Sequence, residues 1–307
     1  MPAIFGSSVS QVSLLLDTLI ASFLVTGSIA WLYYADRLME FPLGVFSIAL
    51  ATVILPGLAA HHAAKSPEKF TATLDWALRL TIVIVLPATL ALVVLSTPIT
   101  IVIFRYGKFD ARDVQMSALA LMAYASALLG FSLVKVLAPG YFARQDTRTP
   151  VRIGLQSFGV NMGLNLCVVL PLALTHNQPG LHALLALNNG LAAWYNSTML
   201  YRGLRKQGVL AHSSGWRRLW MQSIAGNVVM VAFLWWFSRD AQYWIEMRAL
   251  ARAWHMGLLV AGGAVCYFGT MALLGLKVRD LRVKAVSLPP AAHASAGSSD
   301  GTGSGSA

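Results

Sequence analysis

Residues 29–59 read IAWLYYADRLMEFPLGVFSIALATVILPGLA. A helix that spans a bilayer needs about 20 mostly apolar residues, and this run supplies them. It also carries three ionisable residues close together: Asp36, Arg37 and Glu40. On insertion scales a charge at mid-membrane costs about 2.5 to 3.5 kcal/mol, whereas a Leu or Ile returns only about 0.3 to 0.6 kcal/mol. Three such charges cancel most of the gain of the run, so the segment must turn them toward water or toward other polar helices. Arg37 and Glu40 are three residues apart and Asp36 and Glu40 four, which places them near one helical face. Arg37 can then be partly neutralised by Glu40 while its planar fork still offers donors that suit phosphate oxygens. Pro42 follows, removing one helical hydrogen bond and freeing the carbonyl of Leu38. The blander alternative is a structural ion pair near the end of the span, with Arg37 snorkelling to the interface.

Seven further apolar runs lie near residues 3–27, 74–96, 113–139, 150–174, 180–201, 217–238 and 251–276. The breaks between runs carry helix-ending residues, among them Thr26-Gly27-Ser28, Ser66-Pro67-Glu68, Ser96-Thr97-Pro98, Thr149-Pro150, Gln178-Pro179-Gly180 and Ser213-Ser214-Gly215. Composition agrees: of 307 residues, 57% are apolar and only 11% charged, with a mean hydropathy of +0.63. A soluble domain carries about 25% charged residues, so this chain belongs in a bilayer. Its 23 Lys and Arg against 12 Asp and Glu are distributed as the positive-inside rule requires. Fifteen fall on one side: Lys65, Lys69, Arg79, Arg144, Arg148, Arg152, Arg202, Arg205, Lys206, Arg217, Arg218, Lys277, Arg279, Arg282 and Lys284. Six fall on the other: Arg105, Lys108, Arg112, Arg239, Arg248 and Arg252. The alternation predicts an even number of spans with both termini in the cytoplasm. The first run lacks a basic leader and is longer than a secretory core, so the mature chain is expected to begin near Met1. Trp31, Tyr33, Tyr106, Tyr141, Trp216, Trp220, Trp244 and Trp254 lie near span ends, where the headgroup layer favours amphipathic rings.

Two basic residues remain inside predicted spans, Arg37 and Lys135. Lys135, four residues before Pro139, reads equally as a cavity residue or an interfacial anchor. Asp17 with Asn161 and Asn165, the latter four apart on one helical face, offers hard oxygen ligands for a small coupling cation. The commoner use of Asn in a span, interhelical hydrogen bonding, is the alternative. Gly159-x-x-x-Gly163 and Ala261-Gly262-Gly263-Ala264 predict close helix approach, and Cys167 and Cys266, both in apolar runs, read as packing residues. No Gly-rich phosphate loop, nucleophile elbow or metal-ligand spacing occurs, so the expectation is a chain that is not an enzyme and holds no metal or cofactor beyond that coupling cation. The basic loops lack interleaved aromatics, which disfavours nucleic acid.

Three stretches carry a family resemblance: Tyr33-Tyr34-Ala35-Asp36-Arg37-Leu38-Met39-Glu40-Phe41-Pro42, the run from Lys135 through Pro139-Gly140-Tyr141 to Asp146-Thr147-Arg148-Thr149-Pro150-Val151, and Tyr106-Gly107-Lys108-Phe109. Together they resemble the MurJ (MviN) family of bacterial lipid II flippases, in the multidrug/oligosaccharidyl-lipid/polysaccharide exporter superfamily. The likeness runs from about residue 1 to 284. It implies an all-α, polytopic fold of eight transmembrane helices: the second six-helix lobe (residues 1–210) and two further helices forming a lipid-tail groove (211–284). A cytoplasmic tail (285–307), rich in Ala, Ser and Gly, is expected to be disordered.

By the same resemblance Arg37 and Glu40 match a charged pair that members need, and Asp36 and Lys135 join them as candidate substrate-binding residues. The implied activity is alternating access in the bacterial inner membrane. The undecaprenyl tail of lipid II would lie between spans seven and eight while its pyrophosphate head enters a cavity lined by Arg37. The amino-terminal lobe is missing, so the chain alone is expected to be inactive. Its implied partners are that lobe, lipid II, membrane lipids and the cell-wall synthesis machinery. The competing readings are an exporter of another polyprenyl-linked glycan or of drugs, and a non-transporting scaffold for cell-wall enzymes.

Overall fold

The computed structural model describes residues 2–175, 178–210 and 215–275, with side-chain surroundings from residue 11 onward. Every regular element among these residues is helical. In chain order they are α1 (Pro2–Ser22), α2 (Ser28–Pro42), α3 (Ala49–Ala63), α4 (Pro67–Val94), α5 (Ser96–Phe104), α6 (Ala111–Phe142), α7 (Arg148–Leu164), α8 (Leu170–Thr175), α9 (Leu181–Lys206), α10 (Trp216–Phe237), α11 (Ala241–Glu246) and α12 (Ala249–Leu273). Wide π turns at Leu43–Ile48 and Asn165–Val169 join α2 to α3 and α7 to α8. The two resulting rods are 36 and 28 residues long. The expected tail and the basic residues beyond 275 lie outside the described residues.

Among the described residues, six helical stretches are long and apolar enough to cross a membrane: the two rods, α4, α6, α10 and α12. The other two expected runs are also helical, as α1 and α9. Asn188, Asn189 and Asn196 make α9 more polar than a lipid-exposed span, and the bundle tolerates them because α9 packs along α6 and α7. The sequence reading missed α5 and α11, whose nine and six residues are too short to register as spans. Pro42 does not simply bend its helix. The backbone widens into the π turn directly after it, and the rod continues to Ala63.

Local chemistry explains the starts. Gly27, Gly180 and Gly215, with φ near +100°, precede α2, α9 and α10. At α6, Asp110 accepts the Asp113 N–H at 2.8 Å while the Asp113 carboxylate accepts the Asp110 N–H at 3.2 Å. This reciprocal cap satisfies two otherwise orphaned donors. At α7, Asp146 accepts the N–H and hydroxyl of Thr149 at 3.0 and 2.6 Å. Burial alone would raise the Asp146 carboxyl, but these bonds and the Arg144 charge outweigh it and hold it below the usual carboxylate range.

The 32-residue α6 is the axis of the bundle, packed by α9, α4 and α2. Lipid chains are as apolar as Leu, so close fit rather than water exclusion holds spans together. At Gly190 of α9 an added Cβ would stand 2.6 Å from that of Ala127 on α6, so only glycine permits this approach. Leu74, Leu137, Tyr141 and Leu204 fill the surrounding core. One flank is α1, α7 and α9, joined by Ile20, Val169 and Leu185. The other is α10 and α12, held to α4 and α5 by Val83, Ile101, Trp244 and Leu259.

Some packing expectations need correction. Gly262 and Gly263 do receive Phe233 and Leu234 of α10, but Gly159 and Gly163 face open space because the packing stripe of the α7 rod is Ile153, Ser157, Asn161, Asn165 and Val169. Cys167 is exposed rather than packed. Trp31, Tyr141 and Trp244 are buried within the bundle rather than open at its surface, and each ring nitrogen or hydroxyl finds an internal acceptor: Asp113, Leu200 and Ser238.

Candidate functional site

The polar face of α2 is positioned by its apolar one. Trp31, Ala35, Met39 and Pro42 are buried and line the side that packs on α6. The helical period then carries Tyr33, Arg37 and Glu40 to the opposite side. Arg37 Nη1 donates to Glu40 Oε2 at 2.6 Å, and the two side chains remain 53% and 50% exposed. One turn back, the Tyr33 ring lies 5.1 Å beneath the Arg37 guanidinium. Arg37 is thus held between a carboxylate and an aromatic face while half of it stays open, a geometry that can still receive a bidentate anion. Asp36 lies between the two faces and is half-buried. Tyr34 packs on Phe104 and Phe109, so the Tyr106-Gly107-Lys108-Phe109 loop serves to dock α2.

Asp17, Asn161 and Asn165 are brought together by α1 and the α7 rod. Asn165 Nδ2 donates to Asp17 Oδ1 at 2.8 Å, and Asn161 Nδ2 reaches the two Asp17 oxygens at 3.2 and 3.3 Å. Asn188 of α9, which the sequence reading passed over, donates to Asn165 Oδ1 at 2.9 Å. Asn161 and Asn165 are almost fully buried, and Asn165 opens the second π turn. The carboxylate draws amide nitrogens toward itself, so the arrangement is an interhelical hydrogen-bond relay, Asn188 to Asn165 to Asp17. To hold a cation, the amides would have to turn their oxygens inward.

Lys135 is not on the α2 face. It lines a cleft of about 440 Å³ between α1, α6, α7 and α9, with Ser13, Asn161, Asn189 and Asn196 among its walls. The four candidate substrate residues are therefore divided, three on α2 and one in this cleft. The separation follows from α6 itself, which turns Ser132 and Val136 inward and leaves Lys135 on another side.

Two features bear on the trough expected at the last two spans. α10 and α12 close flush, Gly226 against Tyr267 and Gly262 against Phe233, where added Cβ atoms would come within 2.9 and 2.6 Å. An apolar trough instead follows α4 and α10, lined by Leu86, Leu90, Ile224, Val228 and Trp235. Trp220 joins it to a cavity of about 390 Å³ bounded by Asp75, Trp194, Tyr201 and Trp216. There Trp216 Nε1 donates to Asp75 Oδ1 at 2.7 Å, Arg79 pairs with Asp75 at 2.8 Å, and the Arg79 guanidinium lies 5.3 Å over the Trp216 ring. The Tyr33–Arg37 spacing of four was readable from sequence, whereas the Asp75–Trp216 link, between distant segments, was not.

Membrane-length rods broken at π turns, with ionisable side chains on an open face and amides buried between helices, define a polytopic helical membrane protein. The family model "Lipid II flippase MurJ" matches residues 1–254, and the chain belongs to that family. It is 41% identical over 290 residues to a probable lipid II flippase MurJ of Haemophilus influenzae, covering 92% of this chain and 55% of that protein. With the Vibrio cholerae protein of the same description it shares 43% over 286 residues, covering 92% and 52%. With the lipid II flippase MurJ of Burkholderia cenocepacia it shares 40% over 287 residues, covering 93% and 54%. A solved lipid II flippase MurJ in an inward closed conformation superposes with a TM-score of 0.72 at 21% identity, over 91% of this chain and 53% of that one. The chain thus spans about half the length of the relatives it matches.

Proposed function

We propose that this chain is the carboxy-terminal part of a lipid II flippase of the bacterial inner membrane. In this reading it carries undecaprenyl-pyrophosphate-linked peptidoglycan precursor from the cytoplasmic to the periplasmic leaflet by alternating access, both termini facing the cytoplasm. The observation that carries the reading is the half-open Arg37, braced by Tyr33 and Glu40 on the side of α2 turned away from α6. A guanidinium kept open beside membrane helices is costly unless an anion or a second wall meets it. The missing first lobe supplies that wall, and the pyrophosphate supplies the anion. Asp36 adds negative charge at the edge of the same face.

Residues 1–210 act as the second lobe. The helices of 211–284 carry the lipid tail, along the α4–α10 trough rather than between α10 and α12. Lys135 draws the anionic head toward the cleft beside Asn161, and the Asp17–Asn161–Asn165 cluster takes a coupling cation once its amides reorient. Without the first lobe the chain is inactive. The test is growth of a flippase-depleted strain. Rescue is expected when this chain is supplied with the first lobe, and not from the chain alone or from the Arg37→Ala variant of the pair. Rescue by that variant would instead favour a scaffold that moves no lipid.

A further inference from the structure

Away from these sites, the ends of four helices line an open cavity of about 350 Å³. It is built from His61 and His62 at the end of α3, Lys65 and Ser66 in the turn, the first turn of α4, Arg144 after α6, and Gln207 to Val209 after α9. Its walls are fixed without using the charged groups. The Ser66 N–H meets the His61 carbonyl at 3.0 Å, and Thr71 Oγ1 donates to the Val209 carbonyl at 2.8 Å. The turn also holds Lys65 at a φ of 49°. Arg144 is steadied by donating to Gln207 Oε1.

Two observations point to a ligand. The charged lining is of one sign, Lys65 and Arg144, with no carboxylate among the lining residues. His61 is only 6% exposed, and its Nε2 is buried with no hydrogen-bond partner among the described residues, a costly state that a bound group would relieve.

We propose that this cavity binds a phosphate group, and that the phosphodiester head of an acidic membrane lipid is the source its position favours. It opens at the ends of membrane helices on the side that carries Lys69, Arg148, Arg202 and Arg205, where anionic lipid collects. Phe70, Pro67 and Val209 in its lining give the glycerol end an apolar seat. A bound head would tie the α3–α4 turn to the ends of α6 and α9, independently of any transport step.

The 307-residue chain in nanodiscs of phosphatidylcholine with phosphatidylglycerol, examined by native mass spectrometry, tests this. The wild-type chain should retain phosphatidylglycerol in preference to phosphatidylcholine. Combining Lys65→Ala with Arg144→Gln should reduce that retention roughly tenfold or more, given that each cation near a membrane surface is worth about 1 kcal/mol. Lys69→Ala with Arg148→Gln, which removes as much charge outside the cavity, should reduce retention clearly less than the cavity pair does. A second arm uses phosphatidylcholine nanodiscs and inorganic phosphate. Thermal protection by phosphate that the cavity pair abolishes supports the site with a soluble source. If the double variant loses helical circular dichroism, the exposed Lys65→Ala alone carries the comparison. Equal loss in both charge-removal pairs, or a wild-type chain indifferent to both probes, overturns the proposal.

Discussion

The face of α2 and the relay around Asp17 resolve the same expense in opposite ways. Around Asp17 every polar group is turned inward and paired: Asn188, Asn165, Asn161 and the carboxylate satisfy one another across three helical elements. On α2, Arg37 and Glu40 pair only with their own helix and stay half-open. An internally satisfied network reports what holds this half together, whereas an open charged pair reports what this half expects to meet. The two should therefore respond to substitution in opposite senses.

The largest effect is expected in growth rescue by the completed protein, which Arg37→Ala should abolish while leaving unfolding of the chain in detergent within about 1 kcal/mol, as for an exposed ion pair. If unfolding weakens as much as growth, Arg37 is structural and the contrast fails. Next, Asn165→Ala should destabilise the chain by about 1 to 2 kcal/mol, because it takes one donor from Asp17 and the acceptor from Asn188 at once. Steric-trap or denaturant unfolding would measure this, and an unchanged midpoint would mean that the relay contributes nothing. Trp216→Phe keeps the ring and loses one hydrogen bond to Asp75, for about 0.5 to 1.5 kcal/mol. Its effect should appear as faster amide exchange where α10 meets α4.

The smallest effect concerns the Asp146 cap. Its carboxyl is lowered in the folded state, so its contribution is present above the ordinary value of 3.8 and is lost as pH falls through the lowered one. Exchange at the start of α7 should therefore rise only in that acid window, and Asp146→Asn should flatten the rise.

The sequence foretold the six membrane-length helices, and α1 and α9 as helices beside them, because long apolar runs are local signals. It grouped Asp17 with Asn161 and Asn165 through the i to i+4 spacing on α7. It did not find Asn188, since nothing in α9 alone says which of its asparagines faces α7. It placed Lys135 with the α2 charges, whereas the phase of α6 turns it into another cleft. The tail trough was assigned to α10 and α12 by the family resemblance. The glycines that close that seam and the Asp75–Trp216 bond that draws α10 to α4 act between segments far apart in the chain.

The π turns after Pro42 and at Asn165 leave each rod with one residue of slack. A bulge of this kind can migrate a step along its helix, and each step turns the residue it passes by about 100°, the angle between successive residues, while the helix on either side keeps its register. Seen this way the rods are less like girders than like screws with an adjustable thread. Asn165, seated at the start of one such thread, couples the pitch of its rod to whether Asp17 keeps its donors.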